Sequence, residues 1–209
     1  MVVGTVASIW RYPVKSLRPE PMDAAEVELS GVSGDRTAAY HVRTPDHPRA
    51  GKVFRGKEHA TLHLTSSDAA VRAIAVDARV DVELLDGERF FDAAPISILV
   101  DRWLEALSSH VGYAVEAQRF RPNFAIAASP DFLGDEWALD GRTLTLGSTV
   151  LRVRKPIERC VVPTYDLRGG ASDPRILRYI GTERDNRMGI YCDVVTPGIV
   201  RTGDRLESR

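Results

Sequence analysis

Apolar and polar positions alternate along most of this chain at the two-residue spacing of β-strands, with glycine and proline breaks at short intervals. Val2 to Trp10 is β-branched and apolar. It runs into Tyr12-Pro13, where proline imposes an extended or turning backbone. Ala25 to Leu29 alternates and breaks at Gly31 and Gly34, and Arg36 to Val42 reads as the partner strand of a hairpin or meander. Thr44 to Lys57 is rich in proline, glycine, histidine and charge, which predicts a mobile loop. Glu88 to Asp92 leads through Pro95 into the apolar run Ile96 to Val100. Further strand-like pieces fall at Ala114 to Phe120, Asn123 to Ala127, Thr143 to Leu146, Thr149 to Val153, Ile190 to Val195 and Ile199 to Thr202.

Helical spacing is confined to three places. Asp68 to Ala75 has Ser66 or Ser67 as a cap, and Asp101 to His110 carries Trp103, Leu104 and Leu107 on one face before Gly112. Asp173-Pro174 opens a helix over Arg175 to Ile180. Short strands with frequent turns and few helices predict a mainly β chain of α+β class with a barrel-like domain. A weak boundary at Asp86-Gly87 divides it into residues 1–86 and 87–209.

Composition narrows the function classes. The 209 residues are 44% hydrophobic and 27% charged with a formal net charge of −1, so no bulk attraction to nucleic acid or an anionic membrane is expected. Only four of the 28 basic residues are lysines (15, 52, 57 and 155). Arginine forks bind phosphate and carboxylate bidentately, so the bias suits an anionic ligand, although genome composition produces the same bias. No stretch reaches the ~20 apolar residues of a membrane span, and Arg11 and Lys15 interrupt any secretory segment. The expectation is a cytoplasmic protein whose two cysteines, Cys160 and Cys192, stay reduced.

Cys160 carries the strongest chemical signal. It follows Arg159 and lies between Pro156 and Pro163, a setting for a fixed loop presenting a thiolate beside a guanidinium. Thiolates attack electrophiles or ligate soft metals, whereas an inert cysteine is a small buried apolar residue. His59 and His63 are four apart but lack the third ligand and glutamate of a zinc site. No phosphate loop, dinucleotide fingerprint or nucleophile elbow is present.

Several segments occur in one order: Tyr12-Pro13-Val14-Lys15-Ser16, Gly34-Asp35-Arg36, Asp92 with Pro95, Arg121-Pro122-Asn123, Glu136-Trp137, Arg159-Cys160 with Pro163-Thr164 and Asp166, and Asp173-Pro174. Each is weak alone. As an ordered set, covering about residues 2 to 206, they resemble the MOSC family (molybdenum cofactor sulfurase C-terminal domain) with its N-terminal β domain, and among its members the amidoxime-reducing components. The resemblance implies an N-terminal β domain over 1–86 and a MOSC-type β-barrel over 87–209, with the cofactor between them.

It also implies a molybdenum cofactor, molybdopterin with Mo, whose metal takes Cys160 as protein ligand. Lys15, Ser16 and Arg36 match positions that hold the pterin phosphate, and Arg121 and Asn123 match positions that contact the pterin and its phosphate. Asp92 matches an acidic residue near the metal that orients water or a substrate amine, and Cys160 and Asp92 form the implied catalytic pair. The implied activity is reduction of N-hydroxylated compounds by oxygen-atom removal. Two cysteines are too few for the four-cysteine [2Fe-2S] module that some bacterial relatives append, so a separate electron-donor protein is expected. Departures from the pattern are Glu158, a carboxylate where relatives often carry a small hydroxyl residue, and Ala93-Ala94, which lack hydroxyls some relatives have. Two other readings use the same residues: a non-catalytic carrier of the cofactor, and a sulfur-transfer protein with a persulfide on Cys160.

Overall fold

The alternation closes a barrel. The computed structural model describes residues 1–87, 89–169 and 172–209. Its strands are β1 (Val2–Arg11), β2 (Glu20–Met22), β3 (Ala24–Glu28), β4 (Gly31–Val32), β5 (Ala38–Val42), β6 (Val82–Asp86), β7 (Ile96–Val100), β8 (Phe124–Ala128), β9 (Thr143–Leu146), β10 (Thr149–Glu158), β11 (Arg187–Thr196), β12 (Gly198–Arg201) and β13 (Arg205–Ser208). The main sheet runs β13-β9-β10-β11-β7-β8-β1, and β13 pairs back onto β1 to close a seven-stranded ring. β7 and β8 are parallel, which requires a crossover; the helix α2 (Arg102–Val111) supplies it. Closure needs Gly4: a Cβ there would lie 2.1 Å from Ala127 O, so only glycine lets β1 approach β8 at this bulged register.

Residues on both sides of position 86 build the barrel. Val3, Ile9, Ile98, Phe124, Leu151 and Leu206 are among its fully buried core. Each such side chain contributes about 1.5–3 kcal/mol on leaving water. The helices α2 and α3 (Pro174–Glu183) bury Trp103, Leu107, Ile176 and Ile180 in the same core. A second, smaller core is made by Leu17, Tyr40, Phe54, Leu62, Val71 and Val82, around the β5–β6 pair and α1 (Asp68–Asp77). The helix α1 is capped by Ser67, whose side chain accepts from Ala70 N.

Three expectations are corrected. Residues 114–120 are not a strand: Ala117–Phe120 is a 3-10 helix, because Arg119 turns inward to Glu116, Tyr165 O and Asp166 while Arg121 takes a left-handed φ of 54°. The strand expected over 149–153 continues to Glu158, tolerating Pro156 because the ladder slips between Pro156 and Glu158. The loop after Thr44 is stitched to β5, with Gly51 N bonded to Val42 O and Phe54 N to Tyr40 O, and Phe54 buried in the second core. The strand β6 went unanticipated, and Glu88 lies outside the described residues. None of the described helices is long and apolar enough to cross a membrane.

Candidate functional site

Stretches that follow β1, β4 and β5 meet stretches that follow β6, the 3-10 helix Ala117–Phe120 and β10, and an open cleft lies between them. From the N-terminal side it is lined by Lys15, Ser16, Arg36, Arg55 and Lys57, and from the barrel by Asp92, Arg119, Arg121, Arg159 and Cys160. Its empty space is about 1030 Å³, mouth included. The sequence-predicted Lys15, Ser16, Arg36, Asp92, Arg121 and Cys160 therefore share one site.

The backbone at the site is under constraint. Ser16 (φ 73°), Arg36 (φ 48°) and Arg121 (φ 54°) are all left-handed non-glycine residues. Each such conformation costs on the order of 1 kcal/mol and persists only where the surroundings hold it. Tyr12 is central to that hold. It is fully buried, and the guanidinium of Arg36 lies 4.5 Å, that of Arg121 4.3 Å, from the centre of its ring. Its hydroxyl donates to Pro122 O (3.1 Å), and its N–H donates to Asp35 Oδ1 (2.7 Å). Burial pushes the Tyr12 phenol up to about 12. Asp35, itself buried, also accepts from Arg36 Nη1 at 2.5 Å.

The charge balance at the cleft is positive. Lys15 Nζ donates to Asp92 Oδ1 at 2.6 Å. Desolvation alone would raise the Asp92 carboxyl, but Lys15, Arg36 and Arg121 together hold it below its usual range. Arg121 and Arg159 are both brought down to about 10, chiefly by burial, and Arg36 adds like-charge repulsion on Arg121. The Nε of Arg55 is buried without a hydrogen-bond partner. Seven cations and two carboxylates line the cleft; Asp35, Glu58, Glu116 and Asp166 pair with Arg36, Arg55 and Arg119 from behind, and the cationic lining suits an anionic occupant.

Cys160 is exposed at this cleft, two residues past the end of β10, and lines it together with Arg159, Tyr165 and Tyr191. Cys192 is different: it lies in the barrel core, where burial drives its thiol strongly upward and keeps it protonated. Asn123 does not face the cleft. Its Oδ1 accepts from Ser97 N and Ser97 Oγ, both at 3.0 Å, and its Nδ2 donates to Trp10 O, so it braces β1 against β7. His59 stacks on Phe54, whereas His63 lines the cleft with Nε2 2.8 Å from Asp166 O.

A model of the MOSC domain matches residues 86–207, more than half of the chain. The chain belongs to the MOSC domain family. MOSC domains are generally associated with molybdenum-cofactor binding. Among solved structures, the YuaD protein from Bacillus subtilis is similar with a TM-score of 0.58 at 18% identity, covering 97% of this chain and 93% of that one. YiiM from Escherichia coli matches with a TM-score of 0.48 at 15% identity, covering 95% of this chain and 69% of that one. Likeness at these identities speaks to the fold alone. A search of curated proteins finds no match.

For a MOSC domain the pterin phosphate and dithiolene are anionic, and this cleft fits them. Lys15, Arg36 and Arg121 offer point charge and forks, and Cys160 a free thiol. Sequence reasoning missed Tyr12 as the ring on which Arg36 and Arg121 pack, and it missed Arg55, Lys57, Arg119 and Tyr191. The charge-rich composition of Thr44 to Lys57 was the one available signal for Arg55 and Lys57.

Proposed function

We propose that this MOSC domain protein binds molybdenum cofactor in the cleft and serves as an oxidoreductase subunit that reduces N-hydroxylated substrates, fed by a separate electron-donor protein. The observation that carries this reading is one exposed thiol, Cys160, opening onto a cleft in which cations outnumber carboxylates. When bound, the cofactor supplies two-electron redox chemistry. Overall, an N–O bond breaks, two electrons come from the donor, and two protons leave with the oxygen as water.

The chain's residues bind and orient. Cys160 offers its sulfur as the protein ligand of the metal, a soft donor for a soft, redox-active centre. Lys15, Arg36 and Arg121 hold the phosphate. Ser16 Oγ accepts from Gly56 N at 3.0 Å, which leaves its own proton free to donate to a phosphate oxygen. Asp92, held ionised by Lys15, accepts hydrogen bonds and so orients a water or a substrate amine in the cleft.

The test is molybdenum and pterin content of wild type and Cys160→Ala, both from a molybdate-replete host. Near-stoichiometric metal in wild type, lost or weakened in the variant, is expected. Folded protein with neither metal nor pterin would remove the cofactor reading. A gain of one sulfur on Cys160 in intact mass would favour sulfur transfer, and tight cofactor binding without N-oxide or hydroxylamine reduction would favour a carrier. Substrate reduction driven by NADH alone would show that no separate donor is needed.

A further inference from the structure

Glu136 is fully buried, outside the cleft, in the 3-10 helix Glu136–Leu139. Burying a carboxylate is costly unless each oxygen is paired. One oxygen meets Arg184 Nη2, which also reaches Asp135 Oδ1 at 3.0 Å and lies over the Trp137 ring. The other accepts the N–H of Gly189 at 2.8 Å.

That N–H belongs to the Met188–Gly189 peptide, and the carbonyl of the same peptide, Met188 O, accepts from Arg159 Nε at 2.6 Å. The peptide is free to do so because it sits in a bulge. The β10–β11 register pairs Pro156 with Ile190 and Glu158 with Arg187, leaving Met188 and Gly189 opposite Ile157. Gly189 takes φ 87°, and a Cβ there would lie 2.8 Å from Arg159 Nη2 and 2.9 Å from Ile98 O. Arg159 Nη1 meanwhile donates to Phe120 O at 2.9 Å, next to Arg121. One peptide plane thus has a buried carboxylate on its N–H end and the guanidinium preceding Cys160 on its C=O end.

We infer that Glu136 is a positioning residue: by clamping the Met188–Gly189 peptide it sets where Arg159, the residue before Cys160, holds its guanidinium in the cleft that both residues line. The inference rests on the reading of Cys160 as the residue that carries the site's chemistry. The clamp works through the hydrogen bond to Gly189 and not through the charge of Glu136, so a neutral side chain with an oxygen in the same place preserves it.

The experiment measures the rate at which iodoacetamide alkylates Cys160 at fixed neutral pH, in full-length chain from a host unable to make the pterin. Peptide mass separates Cys160 from Cys192. Glu136→Ala should slow alkylation about fivefold, the effect of one lost hydrogen bond, while Glu136→Gln stays within about twofold of wild type. In an Arg159→Ala background, Glu136→Ala should add no further loss, because coupled residues are not additive. An unchanged rate in Glu136→Ala, or a loss that persists undiminished without Arg159, would overturn the inference. Should the alanine variant not fold, Glu136→Gln decides: a fivefold drop there would assign the effect to charge and sink the clamp. These rates stand whether or not wild type from a replete host carries molybdenum, so the two readings fail separately.

Discussion

Tyr12 packs its ring against two guanidinium groups of the cleft, those of Arg36 and Arg121. Removing its hydroxyl in Tyr12→Phe leaves Pro122 O without its donor and should cost about 1 kcal/mol in urea unfolding, with the Arg36 and Arg121 contacts to the ring retained. The same residue shapes the alkaline limb of stability. Its phenol titrates near 10 in the unfolded chain and is raised to about 12 in the fold, so above pH 10 the unfolded state loses a proton that the native state keeps. Stability should therefore be intact below pH 10 and decline between about 10 and about 12. Tyr40, raised to about 12 by burial and its bond to Asp68, contributes with the same sign. Tyr12→Phe should flatten part of that decline, and an unchanged pH slope would show that Tyr12 is not its source. At this scale Cys160, Lys15 and Arg36 were legible in sequence because they stand inside compact motifs. The inward turn of Asn123 was not, since its partners Ser97 and Trp10 lie 26 and 113 residues away.

Strand periodicity was enough to place most staves of the barrel, because alternation reflects one buried face per strand. It failed where side-chain demands overrode it. Arg119 pulled residues 117–120 into a 3-10 turn, and bulges carried β10 beyond Pro156 to deliver Arg159 and Cys160 to the cleft. The barrel seam depends on a single glycine. Gly4→Ala would place a Cβ 2.1 Å from Ala127 O and 2.7 Å from Ile126 Cγ2, forcing β1 off β8. A loss of about 2–3 kcal/mol is expected from such overpacking, seen as a lower urea midpoint at constant slope. A midpoint within error of wild type would mean that β1 can shift without opening the seam.

In the whole molecule, the family model begins at residue 86, yet the ring of strands does not. β1 bridges β8 and β13, and β3 pairs with β12, so the N-terminal residues are interwoven with the barrel. A fragment of residues 87–209 would expose the edges of β8 and β13 and should show no cooperative thermal transition. A sharp transition in that fragment would support residue 86 as a true folding boundary. The cleft has the same dependence on both parts, because Lys15, Ser16 and Arg36 meet Arg121 and Cys160 only once β1 is in place.

By itself the sequence determined what is local: the period-two alternation of a mainly β chain, three short helices, and compact motifs that brought Lys15, Ser16, Arg36, Asp92, Arg121 and Cys160 to notice. These follow from backbone preference and from side-chain patterns within a few residues. Only the tertiary structure decided which strand closes the ring, that Arg36 and Arg121 both pack on Tyr12, that Asn123 faces inward, and that Glu136 reaches Gly189 across 53 residues. Each of those depends on contacts between distant positions, whose pairing is set by how the core packs and how buried polar groups find partners.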